Sequence, residues 1–120
     1  HYDFPREGEL GWSVEGNDPY IKYPLHKSHK DFGFVEPIKY YVPSIGISEV
    51  TSLDTKNKKY IHSSLRGKSL YLFTLNKDNK LKSNIKVDIK ERIRDILKID
   101  NKLYLFLEDT ASIGLIDLNQ

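Results

Sequence analysis

The sequence predicts an all-β chain in which short antiparallel strands follow a long, irregular N-terminal region. Two observations favour this fold class. After residue 37, short apolar stretches rich in β-branched and aromatic residues recur at close intervals, as strands do. The gaps between them hold turn-forming residues and are short enough for hairpins, so the strands are expected to form an antiparallel meander.

Residues 1–37 form the predicted irregular region, because glycine, proline and aspartate recur through it. A loop of this length often carries a function. The single tryptophan, Trp12, is expected to pin the loop to a core rather than to bind a ligand. His26 and His29 have a spacing that suits a metal. Their lysine neighbours and the absence of cysteine favour an exposed loop instead, so no metal site is predicted.

Residues 38–120 hold the predicted strands. The first strand covers residues 38–42 and ends at Pro43, since proline has no amide hydrogen to donate to a sheet. An amphipathic helix over residues 86–98 is a weaker alternative, because its apolar residues do not keep to one stripe. The remaining predicted strands cover residues 45–53, 60–65, 69–75, 84–89, 92–99, 102–108 and 113–118.

A repeat indicates how these strands are grouped. Tyr60-Ile61 and Tyr104-Leu105 each precede a turn and a further apolar strand, at an offset of 44 residues that is typical of four-stranded β-propeller blades. Residues 45–89 are therefore predicted to form one complete blade. Residues 92–118 are predicted to form three strands of a terminal blade, whose missing strand comes from elsewhere in the ring.

The composition excludes several classes of protein. A net charge of +2, with lysines spread along the chain, does not predict a nucleic-acid partner. No apolar run approaches the roughly 20 residues of a spanning helix, so no membrane span is predicted. There is no cysteine and therefore no disulfide. Methionine is absent even at position 1, so the chain is expected to be a fragment or a processed product.

Four short stretches, taken in their order along the chain, carry a resemblance to a known family. They are Leu10-Gly11-Trp12-Ser13, Pro37-Ile38-Lys39-Tyr40-Tyr41-Val42-Pro43-Ser44-Ile45, Ser64-Leu65-Arg66-Gly67 and Arg92-Ile93-Arg94-Asp95-Ile96. This order resembles the C-terminal part of the soluble quinoprotein glucose dehydrogenases and the related aldose sugar (glucose/sorbosone) dehydrogenases. The Glu108-Asp109-Thr110 turn also resembles the Thr-Asp turn that precedes the last strand of that family.

The resemblance implies a six-bladed β-propeller that binds pyrroloquinoline quinone (PQQ) and calcium and oxidises an aldose by transferring a hydride to the quinone. It implies that Arg92 and Arg94 bind the cofactor, and that Arg66 stands where the family usually has a lysine near the quinone. The catalytic base and the calcium ligands would lie in segments upstream of this chain. The family segment that supplies an aromatic wall and a hydroxyl to the cofactor corresponds here to Tyr40, Tyr41 and Ser44.

The residues themselves give a physical reason for an anion at Arg92 and Arg94. In a strand, residues i and i+2 face the same side, and two guanidinium groups there repel each other unless an anion lies between them. The planar fork of arginine suits a carboxylate, and PQQ is a tricarboxylate. The alternative is that the arginines pair with nearby acids of the chain, such as Asp88, Glu91 or Asp95.

The other candidate residues also have plainer interpretations. Arg66 is equally consistent with an exposed turn charge, and Tyr40 and Tyr41 with strand packing and solvent contact. The chain also departs from the family, because Gly46-Ile47-Ser48-Glu49 stands where the family has Ala-Pro-Ser-Gly. Glu49 would repel an anionic cofactor. Two functions therefore stay open: a sugar dehydrogenase-like propeller, or a noncatalytic propeller that binds carbohydrate or a protein partner.

Two blades leave open sheet edges and exposed apolar faces. We therefore expect the chain to pair with the remaining propeller blades or to associate with itself to complete a ring, and to be inactive alone. The resemblance, and nothing else in the sequence, implies a periplasmic or secreted location.

Overall fold

The computed structural model describes residues 33, 35, 37–41 and 43–119, and the chain divides into two compact units, residues 1–44 and 45–120. In the first unit, the ammonium group of Lys39 lies 5.4 Å from the centroid of the Tyr41 ring. The strand predicted at 38–42 is wrong for its described residues, 38–41, which lie outside any strand. Prolines at 37 and 43 bound this short segment and lack the amide hydrogen that a ladder needs.

The second unit consists of seven strands in two antiparallel sheets, which confirms the all-β prediction. The first sheet has four strands in the order β1-β2-β3-β4, and the second has three in the order β5-β6-β7. No described residue lies in a helix, so the helical alternative over 86–98 is wrong. The strands are β1 (Ile47–Asp54), β2 (Lys59–Ser64), β3 (Ser69–Leu75), β4 (Leu81–Asp88), β5 (Ile93–Ile99), β6 (Lys102–Leu107) and β7 (Ser112–Asp117).

Short turns join the strands within each sheet, as the turn residues predict. In the turn between β3 and β4, the side-chain oxygen of Asn76 accepts the amides of Asp78 and Lys80, at 2.9 Å each. Asp100, between β5 and β6, has a φ of +52°, a left-handed conformation that aspartate tolerates better than most residues. These local contacts fix where each strand reverses.

Two strands begin two or three residues away from their predicted starts, whereas the starts of the other five agree within one residue. β1 begins at Ile47 rather than at residue 45, because Gly46 has a φ of +61° and interrupts the extended backbone. β4 begins at Leu81 rather than at residue 84. It is an edge strand, exposed at residues 82–88, so its first residues carry no apolar pattern to mark them.

The repeat falls at equivalent places in the two sheets. Tyr60 and Ile61 lie on β2, and Tyr104 and Leu105 lie on β6, which is the second strand of its own sheet. Ile61 and Leu105 are both buried in the shared core. The offset of 44 residues therefore relates two corresponding hairpins.

The core lies between the two sheets, where β5 packs against β1 and β2. Burial of each large aliphatic side chain contributes about 1.5–3 kcal/mol. Serine hydroxyls accompany this apolar layer: Ser48 Oγ lies 2.8 Å from Ser63 Oγ. The fully buried apolar cluster is Ile61, Leu70, Ile93, Ile96, Leu103 and Leu105.

The opposite face of the second sheet is also apolar but exposed. Leu97 and Leu115 lie on either side of Tyr104 in the strand register, and Phe106 is paired with Ile113. Leu115 is 56% exposed and Ile113 is 63% exposed. We call these five residues the outer apolar face.

Candidate anion-binding site

Arg94 lies in a β-bulge at the start of β5. Ile93 pairs with Leu107, but Asp95 pairs with Phe106, so Arg94 is an extra residue on its strand. A bulge of this kind interrupts the in-and-out alternation and redirects a side chain. Arg94 and Asp95 are accordingly both exposed, between the buried Ile93 and Ile96. Arg92 precedes the strand and is half-buried.

The side chains of Arg92 and Arg94 meet on one carboxylate, that of Glu108. Glu108 Oε1 lies 3.3 Å from Arg92 Nε, and Glu108 Oε2 lies 2.6 Å from Arg94 Nη2. The Glu108 amide also donates to the carbonyl oxygen of Arg92 at 2.9 Å, which fixes the backbone of the acid beside the arginines. The two guanidinium groups therefore share an anion, as expected, and the anion belongs to the chain itself.

The acids suggested by sequence proximity have other partners. Asp88 accepts the Ser69 hydroxyl at 3.1 Å. Glu91 accepts the Thr110 hydroxyl at 2.7 Å, and Asp95 accepts the amide of Ile96 at 2.8 Å. The arginines therefore pair with an acid of the chain, as the alternative expected, but not with any of these three examples. The backbone pairing of β5 with β6 brings Glu108 closer than any acid that is near in sequence.

A second acid, Asp109, connects this site to the first sheet. Asp109 Oδ2 accepts Lys68 Nζ at 2.7 Å and the amide of Arg92 at 3.2 Å. The hydrogen bond from Lys68, followed by that from the Arg92 amide, holds the pKa of the Asp109 carboxyl below its usual range. Lys68 belongs to the turn between β2 and β3, so this contact ties that turn to the segment that carries the arginines.

Arg66 is exposed in the same turn. The turn is tightly packed at the next residue, because Gly67 donates its amide to the Ile45 carbonyl at 2.9 Å. A Cβ atom at position 67 would lie 2.7 Å from Ser64 Oγ, so a larger residue here would force its neighbours to shift. Arg66 thus stands on a well-defined turn two residues before Lys68, and its contact with a cofactor stays a prediction.

Tyr40, Tyr41 and Ser44 belong to the other unit of the chain, residues 1–44. Their contribution of an aromatic wall and a hydroxyl to the cofactor stays a prediction. Trp12, His26 and His29 lie outside the described residues.

No group of three or more histidine, cysteine, aspartate or glutamate side chains that could hold a metal ion occurs within the described part of the chain. Residues 43–119 and the shorter described segments before them contain no helix with the length and hydrophobicity of a membrane span.

Reasoning from the sequence missed Glu108 and Asp109 as parts of the site. A signal for them exists in the hairpin between β5 and β6. Counting outward from its turn at Asp100 and Asn101 places Glu108 opposite Ile93, between the two arginines. The bulge then shifts this pairing by one residue, to Leu107.

Nearly all of the chain matches a known protein family. A family model described as glucose/sorbosone dehydrogenase matches residues 4–116. The match confirms the resemblance that the four short stretches carry. Neither the search of curated proteins nor the search of solved structures gave a significant match.

Proposed function

Because the chain belongs to the glucose/sorbosone dehydrogenase family, whose members are β-propellers, we propose that it is part of a PQQ-dependent propeller that oxidises an aldose. Its two sheets would be neighbouring blades of that propeller. Arg92 and Arg94 would bind a carboxylate of the cofactor.

One observation carries the cofactor proposal: the Glu108 carboxylate bridges the two guanidinium groups at 3.3 Å and 2.6 Å. This carboxylate occupies the position that we propose for the carboxylate of a ligand, and it supports the proposal because both arginines contact it. Charge-assisted hydrogen bonds of this type are about twice as strong as neutral ones. PQQ offers carboxylates on a rigid ring and therefore matches the donor set.

The residues of this chain would hold and orient the cofactor. Arg92 and Arg94 neutralise a carboxylate, and Lys68 with Asp109 keeps the segment before β5 in place. When bound, the quinone supplies the acceptor for the hydride from the sugar's anomeric carbon. By family resemblance, Arg66 would add a cationic contact to the cofactor. Further contacts would come from Tyr40, Tyr41 and Ser44.

The rest of the active site would come from other parts of the propeller. The family implies that the catalytic base and the calcium ligands lie on other segments, and that the protein is periplasmic or secreted. The outer apolar face and the open edges of β4 and β7 support assembly with the remaining blades or with further copies of the chain. A monodisperse monomer in light scattering would contradict self-association.

The direct test is a titration of the protein with PQQ, with and without calcium, followed by quinone absorbance. Saturable binding is expected, and the double variant Arg92→Gln/Arg94→Gln should weaken it by about 10- to 100-fold, because two charge-assisted bonds are lost. The control is Lys82→Gln, which removes one exposed positive charge on β4. Absence of saturable binding, or equal losses in the control, would overturn the cofactor assignment.

A second candidate function is a noncatalytic propeller that binds carbohydrate or a protein partner. The observation that favours it is Glu108 itself, because the arginines already have an anion and need no cofactor to neutralise them. This function predicts saturable binding of an aldose without PQQ, and no dependence of that binding on Arg92 or Arg94. Calorimetric titration with glucose and related aldoses distinguishes the two.

A further inference from the structure

Glu108 bridges Arg92 and Arg94 in the way that a ligand carboxylate would. Each of its oxygens contacts a single nitrogen, Nε of Arg92 and Nη2 of Arg94. A guanidinium group has several further N–H donors. Within residues 43–119, no other acceptor is bonded to either guanidinium. The two guanidinium groups are therefore held side by side by Glu108, and several of their N–H donors have no acceptor within residues 43–119.

The charges at this site are unevenly matched. Asp109 is bonded to Lys68, so that acid is neutralised by a cation of its own. Among the described residues, Glu108 is the acid that forms ion pairs with the two arginines, so the group of these three side chains carries one net positive charge. An incoming carboxylate is thus attracted by one charge rather than by two.

The bridge is also easily displaced. The side chains of Arg94 and Glu108 are 61% and 35% exposed, and exposed ion pairs of this kind contribute little to stability. Glu108 is nevertheless always present at the arginines, because it is held on the same chain, and so acts at a high effective concentration. A free monocarboxylate at ordinary concentration has no comparable advantage.

We infer that Glu108 is a specificity-determining residue of the arginine site, which excludes small free carboxylates and admits a carboxylate only when its ligand makes additional contacts. This inference rests on the proposed carboxylate-binding function. It assigns Glu108 the role of an internal competitor. Its removal should therefore strengthen carboxylate binding, and the gain should increase with the charge of the ligand.

The test compares wild-type protein with Glu108→Gln, which keeps the size of the side chain and removes its charge. The probes are acetate, succinate and citrate, and the readout is the NMR resonances of the Arg92 and Arg94 Nε–H groups. In Glu108→Gln, each probe should shift these resonances at about tenfold lower concentration or better, with the largest gain for citrate. Glu108→Asp keeps the charge and should give a smaller gain.

The matched control is Asp78→Asn in the turn between β3 and β4, which removes one negative charge away from the arginines. It should bind the probes as the wild type does. A triple variant, Glu108→Gln with Arg92→Gln and Arg94→Gln, has no guanidinium resonances at this site, so its probe binding is followed by the backbone amide resonances of residues 92–95. It should lose the gain. Circular dichroism of each variant establishes that the sheets are intact.

The outcomes separate this inference from the proposed function. Equal or weaker probe binding by Glu108→Gln, with PQQ binding that still depends on the arginines, would overturn the role of Glu108 and leave the proposed function in place. A gain in probe binding, without PQQ binding by any variant, would support the role of Glu108 toward carboxylates and overturn the PQQ assignment. Equal gains in the Asp78→Asn control would show that the stronger probe binding comes from the change in the protein's net charge, and would overturn the inference.

Discussion

Ser48 of β1 donates a hydrogen bond of 2.6 Å to the carbonyl oxygen of Ile93, the first residue of β5. Since the only hydroxyl hydrogen of Ser48 is used in this bond, Ser63 is the donor in the 2.8 Å contact between the two serines. Ile93 lies between Arg92 and Arg94, beside the β-bulge. The serine pair therefore ties the first sheet to the backbone that presents the arginines.

Replacement of Ser48 by alanine should destabilise the protein by about 1–3 kcal/mol, because the part-buried carbonyl of Ile93 loses its donor. Urea denaturation followed by circular dichroism measures the change. Ser52→Ala removes an exposed hydroxyl contact with Thr55 and should stay within about 0.5 kcal/mol of the wild type. Similar losses of stability in both variants would show that the hydrogen bond from Ser48 to Ile93 contributes no more to stability than an exposed hydroxyl contact.

Replacement of Gly67 by alanine should destabilise the turn that carries Arg66. The new methyl group would lie 2.7 Å from Ser64 Oγ and 3.2 Å from Ile45 Cβ. Overpacking of this kind costs about 1–3 kcal/mol. Thermal or urea unfolding provides the measurement. Gly114→Ala is the control, since its added methyl meets its nearest neighbour at 3.4 Å, and an equal loss there would contradict the steric argument.

The contact between Lys68 and Asp109 should be lost in acid. Lys68 lowers the pKa of Asp109, so the contact stabilises the folded state above the ordinary carboxyl pKa of 3.8 and is lost as the pH falls through the lowered value. Lys68→Met should raise the pKa of Asp109 only part of the way to its ordinary value, because the Arg92 amide still donates to it. Carboxyl-carbon NMR titration measures this pKa, and an unchanged value would refute the link.

Tyr71 should make the protein less stable in strong alkali. Burial raises the pKa of Tyr71 above its ordinary value of 10.0, so the folded state holds the phenolic proton more tightly than the unfolded chain. The corresponding stability is complete below that ordinary value and is lost as the pH rises through the raised one. Tyr71→Phe should reduce the decrease of the urea midpoint as the pH rises above the ordinary tyrosine pKa of 10.0, and an unchanged decrease would contradict this role of Tyr71.

Leu103 should be one of the most sensitive positions in the core. Its side chain is fully buried between the sheets, so Leu103→Ala should cost about 2–5 kcal/mol through lost burial and the cavity that remains. Leu97→Ala, on the outer apolar face and 47% exposed, should change stability much less in an isolated monomer. A large loss at Leu97 that grows with protein concentration would instead reveal that this face is covered by another copy.

Periodicity and turn chemistry were sufficient to predict most of the strands. Alternating apolar residues and turn residues are local properties, so they identify β2, β3 and β5 within one or two residues of their observed ends. The same local reasoning fails where pairing with a neighbouring strand decides whether a segment forms a strand. Residues 38–41 have strand-like side chains but lie outside any strand, and the polar start of β4 is a strand because β3 pairs with it.

The candidate site divides in the same way. Two arginines at i and i+2, with an anion between them, follow from the sequence and from simple electrostatics. The identity of that anion does not. Asp88, Glu91 and Asp95 are nearer to the arginines in sequence than Glu108, but each has another partner.

The sequence by itself determined the all-β class, the grouping of strands around the 44-residue repeat, the family and the two arginines, because each depends on residue types at short or fixed spacing. Only the tertiary structure decided what those arginines touch. The register of β5 with β6, shifted by the bulge at Arg94, brings Glu108 to both guanidinium groups. The turn at residues 100 and 101 specifies the register of this hairpin, but no local pattern specifies the bulge that shifts its far end, where Glu108 meets the arginines.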